Sequence, residues 1–178
     1  MSLAAEISGR QRRAKAGGAS LLDGFFTALF CGALAALSAQ LQGFEFGIDN
    51  NVFHIPIVLH WYDLPQFSGD AVMQSLRRYA TPVFPFMGLF ANDANIGAIF
   101  QAAFLLTRAL TIFALLRIMR SCGLRNSWLT AATVAAIFVS ALYGESVIGR
   151  DELLVDIFTP TTLAQALALL GIAGLLHR

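Results

Sequence analysis

Residues 25–41 read FFTALFCGALAALSAQL, and no charged side chain falls anywhere between Asp23 and Glu45. A helix that crosses a bilayer needs about 20 mostly apolar residues, and this run provides them. Three similar runs follow. One covers Ile96 to Leu116 and is broken only by Arg108. Another is NSWLTAATVAAIFVSALYG at 126–144, and the last is IFTPTTLAQALALLGIAGLL at 157–176. The pattern predicts an all-α integral membrane protein with four transmembrane helices at about 20–41, 96–116, 127–143 and 159–176. The short third and fourth spans fit a bilayer with little tilt. The first is too long for a cleavable signal peptide and lacks a small-x-small site just past its end, so it reads as a signal anchor.

Composition agrees. Of 178 residues, 57% are hydrophobic and 13% charged, whereas soluble domains carry about 25% charged residues. At half that value the composition argues against both a soluble globular domain and a disordered chain. The 2 Cys exclude a disulfide scaffold and a Cys-rich metal site. Cys31 and Cys122 fall at different depths, so a paired-Cys redox centre is unsupported. There is no HExxH and no phosphate-cradling glycine loop. His54 and His60 are spaced poorly for one helix face, so no metal or other cofactor is expected. Nothing points to nucleic acid.

The net charge of +1 hides an uneven distribution. Arg10, Arg12, Arg13 and Lys15 precede the first span, Arg117, Arg120 and Arg125 lie between the second and third, and Arg178 follows the fourth. The other connections hold Glu45, Asp49, Asp63, Asp70, Asp93, Glu145, Asp151, Glu152 and Asp156, against Arg77, Arg78 and Arg150. The positive-inside rule then places both termini in the cytoplasm. Residues 1–19 read as a flexible basic cytoplasmic tail, and 20–178 as a single four-helix domain.

The first outer loop, 42–95, is far longer than an ordinary helix connection, which signals function or added structure. Asp49 or Asn50 can cap a helix over Val52–Tyr62, with Pro56 just past its first turn. Asp70 can cap a second over Ala71–Tyr79, with Arg77 and Arg78 in its last turn. The segment TPVFPFMGLF reads as too Pro-broken for a regular helix. Two short amphipathic helices are expected on the outer membrane surface, with Trp61, Tyr62 and Tyr79 at headgroup depth.

Two groups of residues can carry chemistry. Arg108 is a lone cation well inside a span, roughly 13 Å along the helix from Arg117. An ion pair with Asp23 or a water-assisted snorkel would accommodate it, and a lipid-phosphate contact is the functional alternative. The other group is Asp49, Asn50, Asn51 and His54 just outside the first span, with Asp70 one helix later. A carboxylate at the membrane surface can act as general base for a hydroxyl acceptor, with a nearby His or Arg stabilising a phosphate leaving group. Capping is the structural alternative for Asp49 and Asp70, since both sit where helix caps belong.

The segment FGIDNNVFHIPIVLHWYDLPQFSGDAVMQSLRRYATPVF (46–84) resembles the first outer loop of bacterial membrane proteins similar to GT-C-type glycosyltransferases, the class of the lipid-linked mannosyl- and arabinosyltransferases. Gly47, Asp49, Asn50, Asn51, His54, Pro56, Asp63, Pro65, Gly69 and Asp70 carry the likeness. Asp63-Leu64-Pro65 departs from the Asp-Pro turn of that pattern. GESVIG and FTPTTLAQALALL extend the likeness, which covers about 20–178. It implies an inverting transferase of the bacterial inner membrane with a polyprenyl-phosphate-sugar donor and an outward-facing site. Asp49 would be the base, and Asp70 or the Asp151/Glu152 pair would orient the acceptor. His54, Arg77 or Arg78 would contact the donor phosphate, with Asn51 in the same cluster.

The GT-C core has more spans than these, so the chain is expected to correspond to the front part of such an enzyme and to be incomplete or inactive alone. The alternative is a non-enzymatic four-helix scaffold or accessory subunit, with 53–67 and 83–90 docking another membrane subunit. A small transporter is weaker, because no acid lies at mid-membrane to couple protons.

Overall fold

The computed structural model describes residues 3–48, 50–79, 81–124, 127–141 and 157–176, and side chains within them except at 3–22, 127–128 and 137–141. All regular structure among these residues is helical. Helix α1 runs over Leu3–Gln42. Expected as a tail over 1–19, the N-terminal residues continue the first helix from Leu3, in keeping with the high helix propensity of their Ala, Arg, Lys and Gln. Helix α5 covers Ile96–Ser121, α6 Ser127–Ala141 and α7 Pro160–Leu176. Between α1 and α5 lie α2 (Asn51–Val58), α3 (Ala71–Leu76) and α4 (Val83–Gly88).

Two helical stretches are long and apolar enough to cross a membrane, Asp23–Gln42 and Ile96–Ser121; α7 is apolar but shorter. The distribution of side chains points the same way. Phe25, Phe26, Leu29, Leu41 and Leu175 are exposed, whereas Ser38, Thr107, Arg108, Thr111 and Thr130 are buried. The core itself is mostly apolar, so the unusual features are the exposed large apolar side chains and the buried charged and hydroxyl groups. Two of the threonines are satisfied within their own helix. Thr107 and Thr111 donate to the carbonyls of Ala103 and Thr107 one turn back.

Helices α1 and α5 pack antiparallel. Phe46 meets Phe100 at 5.7 Å between ring centroids and Phe44 meets Phe104 at 5.0 Å. Further along, Cys31, Leu34 and Ala35 bury against Ile112 and Leu116 of α5 and Val134 of α6. Helix α7 lies along α5. Its start is fixed by Thr159, whose Oγ1 accepts from the Thr162 amide at 3.2 Å while Thr162 Oγ1 accepts from the Thr159 amide at 3.3 Å. This is a reciprocal cap with Pro160 at the first helical position, where its missing N–H costs nothing.

The 42–95 segment folds as a cap upon the bundle. Ile57 and Val58 of α2, Leu76 of α3 and Phe84 and Met87 of α4 share one core with Ile96, Phe100 and Phe104 of α5 and Phe158. Its helices are shorter than expected from sequence. The first stops at Val58 because His60 adopts a left-handed conformation (φ 55°). The second ends at Leu76. The TPVFPFMGLF segment, expected to be irregular, forms α4. Pro82 stands at its N-cap and Pro85 falls in its first turn, where no intrahelical N–H is required.

Candidate functional site

Asp70 is the N-cap of α3. Its Oδ1 accepts from the amides of Val72 at 2.9 Å and Met73 at 3.0 Å, which leaves the exposed carboxylate engaged in holding the helix start. Asn50 occupies the N-cap position of α2 without a side-chain hydrogen bond to it. Asp49, Asp151 and Glu152, the expected base and acceptor-orienting acids, lie outside the described residues.

Asn51 and His54 are one turn apart on the inner face of α2, at 0% and 4% exposure. Asn51 Nδ2 donates to the Glu45 carbonyl at 3.4 Å. The His54 ring lies 4.7 Å from Phe84 and 5.9 Å from Tyr79, centroid to centroid. Burial in this apolar setting lowers its pKa from 6.5 to about 4. A neutral, enclosed imidazole supplies no positive charge to a phosphate at neutral pH. The structure thus places His54 and Asn51, expected as substrate contacts, side by side on the buried face of the cap.

The two arginines at the end of α3 part company. Arg77 Nη2 pairs with Asp63 Oδ1 at 2.6 Å, and its guanidinium lies 5.6 Å from the Tyr62 ring centre. Gln74 Nε2 ties the same turn down by donating to the carbonyls of Tyr62 and Phe67, both at 3.0 Å. Arg77 thus staples α3 to the turn before it. Arg78 instead faces an open groove of about 670 Å³. Arg78, Tyr79, Thr81, Pro82 and Val83 form one wall, and Pro160, Thr161, Leu163, Ala164 and Leu167 of α7 form the other. The groove is polar at the α7 start and apolar along the helix.

Arg108 is 3% exposed. Its Nη1 donates to Ser38 Oγ at 2.8 Å, its Nη2 to Gln42 Oε1, and its guanidinium lies 4.3 Å from the Phe104 ring centre. The expected pair with Asp23 is not formed. Asp23 is exposed at the other end of the apolar run, about 22 Å along α1 from Ser38. Side chains on a helix lean towards its N-terminus, so Arg108 is directed at the Ile96 end of α5 and away from Asp23. Ser38 and Gln42 were the signal in the sequence, being polar residues four apart on one face within the charge-free part of α1.

Among the described residues no three His, Cys, Asp or Glu side chains gather at metal-ligand distance. His60 is exposed, with Nδ1 2.7 Å from the Tyr62 hydroxyl and 3.9 Å from Asp63. No family model, curated protein or solved structure matches the chain.

Proposed function

We propose that this chain is a multi-pass protein of a bacterial inner membrane that binds a lipid-linked anionic donor, as the front part of an inverting GT-C-type glycosyltransferase would. In this reading α1, α5, α6 and α7 are the four spans, both termini are cytoplasmic, and the 42–95 cap faces outward. The exposed large apolar side chains of α1, α5 and α7 and the placement of the basic clusters support it. The observation that carries the donor reading is the groove between 78–83 and the start of α7. Leu163 and Leu167 suit an isoprenoid chain, and Arg78 stands at the rim where a phosphate headgroup would sit. Asp49, next to the cap's first helix, is the base in this scheme.

The test is ligand-dependent thermal stability of the purified protein in detergent. Polyprenyl phosphate should raise the melting temperature, uncharged polyprenol should do so less, and Arg78→Leu should remove the difference. Equal shifts from the two lipids, or an unchanged difference in Arg78→Leu, would overturn the donor site. Transferase activity in membranes that survives Asp49→Asn would remove the base assignment.

A further inference from the structure

Helix α4 and the turn that ends it are apolar on two sides. Phe84 and Met87 are buried in the cap, while Phe86 of the helix and Leu89 and Phe90 just past its end are 64%, 74% and 63% exposed. These three recur at the spacing of one helical face. Phe86 and Phe90 also pack edge to face, 5.6 Å between centroids, so they form one continuous apolar knob. Exposed aromatic clusters of this kind mark a contact surface.

The covering medium follows from where the knob is anchored. Asn95, the residue that precedes α5, donates from Nδ2 to the Phe90 carbonyl at 2.9 Å. Asn95 Oδ1 accepts from the Asn92 amide at 2.7 Å, and Asn92 Oδ1 accepts from the amides of Ala94 and Asn95 at 3.0 and 3.1 Å. This closed turn fixes the end of α4 to the first turn of α5. Phe90 thus lies within one hydrogen bond of the point where an apolar 26-residue helix begins. Where such a helix enters a bilayer, aromatic side chains sit at the lipid–water boundary.

We propose that Phe86, Leu89 and Phe90 form a wedge that inserts into the lipid leaflet on the side of the 42–95 cap. This rests on the reading of α5 as a membrane span. Pro82 and Val83 at the opposite end of α4 line the groove. The wedge therefore holds the groove mouth at the depth of the lipid headgroups, where a lipid-linked molecule enters sideways from the leaflet.

The experiment uses the full chain in liposomes, with Cys31→Ala and Cys122→Ser as background. A polarity-sensitive fluorophore is attached at Leu89→Cys, Phe90→Cys, Leu106→Cys or Asp93→Cys. Leu106 is an exposed position within α5 and Asp93 is an exposed position in the polar turn. Lipids brominated near the headgroup end of their chains should quench positions 89 and 90 several-fold more than position 93. Lipids brominated near the chain terminus should quench position 106 most. Iodide quenching at 89 and 90 equal to that at 93, with 106 still quenched by lipid, would overturn the wedge and leave the span reading intact. Shielding of 89 and 90 from both quenchers would overturn it in favour of a protein contact. Loss of lipid quenching at 106 would remove the span reading and the wedge with it.

Discussion

Arg108 of α5 donates from Nη1 to Ser38 Oγ of α1 at 2.8 Å, both side chains being nearly inaccessible. Ser38 Oγ in turn lies 2.9 Å from the Ala35 carbonyl, to which it donates. A guanidinium thus joins two helices through groups that are short, uncharged and built into an apolar surface. A cation within a span is costly unless its donors find partners in the protein, and here Ser38 accepts from Nη1 and Gln42 from Nη2. The contact also fixes the register of α1 against α5, in line with the Phe46–Phe100 and Phe44–Phe104 ring pairs.

Ser38→Ala should lower stability in detergent by about 0.6–2 kcal/mol, the range for interhelical hydrogen bonds within membranes. In a double-mutant cycle with Arg108→Leu, the paired change should cost less than the sum of the single changes. Additive losses would show that the two side chains do not interact energetically. Chemical unfolding of the three variants is the measurement.

Gly88→Ala should loosen the cap. A Cβ there would lie 2.9 Å from the Val58 carbonyl oxygen, a backbone atom that cannot swing aside. Overpacking of this kind costs about 1–3 kcal/mol, which exceeds the roughly 1 kcal/mol that Ala gains over Gly in a helix at the upper part of that range. Gly97→Ala is the control, since its Cβ would stand 3.6 Å from the Phe46 ring, an ordinary contact. Limited proteolysis of the 42–95 segment should be faster in the first variant and unchanged in the second.

His54 makes cap stability depend on pH. Its pKa in the folded protein, about 4, lies below the ordinary 6.5, so the folded state favours the neutral ring. Above about pH 6.5 that contribution is complete, and it is lost as pH falls from 6.5 through 4. Each pH unit in that window is worth about 1.4 kcal/mol, or about 3 kcal/mol across it. Proteolysis of the cap should accelerate over this window, and His54→Phe should flatten the dependence. An unchanged pH profile in that variant would show that another group is responsible.

Asp70 can be tested as cap and as catalyst separately. Asp70→Ala should cost about 1 kcal/mol, whereas Asp70→Asn keeps an accepting oxygen and should change stability little. If Asp70→Asn retains stability but loses glycosyl transfer in membranes, the carboxylate acts beyond capping. If both are retained, its role is the start of α3 alone.

Arg77 and Arg78 should differ in kind. Arg77→Ala removes an exposed ion pair with Asp63 and should cost about 1 kcal/mol or less, with the loss shrinking at high salt. Arg78→Ala should leave stability unchanged and weaken the stabilising effect of polyprenyl phosphate. Salt-dependent unfolding of the first and lipid-dependent melting of the second separate the two.

Much of the architecture was legible because it rests on local pattern. The apolar stretch from Ile96 and the segment after Thr159 became helices within a few residues of where hydropathy placed them, and the charge-free run around 25–41 ends its helix at Gln42 as expected, although that helix begins far earlier, at Leu3. Asp70 as a cap was legible for the same reason, since an N-cap depends on residues only two or three positions away. Pro82 and Pro85 misled, because a proline breaks a helix only beyond its first turn, and where α4 starts is not written in its composition. The surroundings of His54 were not legible either, because its neighbour Phe84 is thirty positions along the chain and no local pattern shows that the two rings meet.

By itself, then, the sequence determined an all-helical chain with apolar segments suited to lipid, an uneven charge distribution and a long connection between the first two apolar helices. Tertiary structure decided which polar groups face one another. Hydropathy and capping follow from side-chain chemistry and neighbours one helical turn away, so they can be read along the chain. The meeting of Arg108 with Ser38 rather than Asp23, and the division of Arg77 from Arg78 between a staple and a groove, depend on the register of separate helices. That register is set by how whole faces of large and small side chains interlock, a property of two surfaces that no single segment contains.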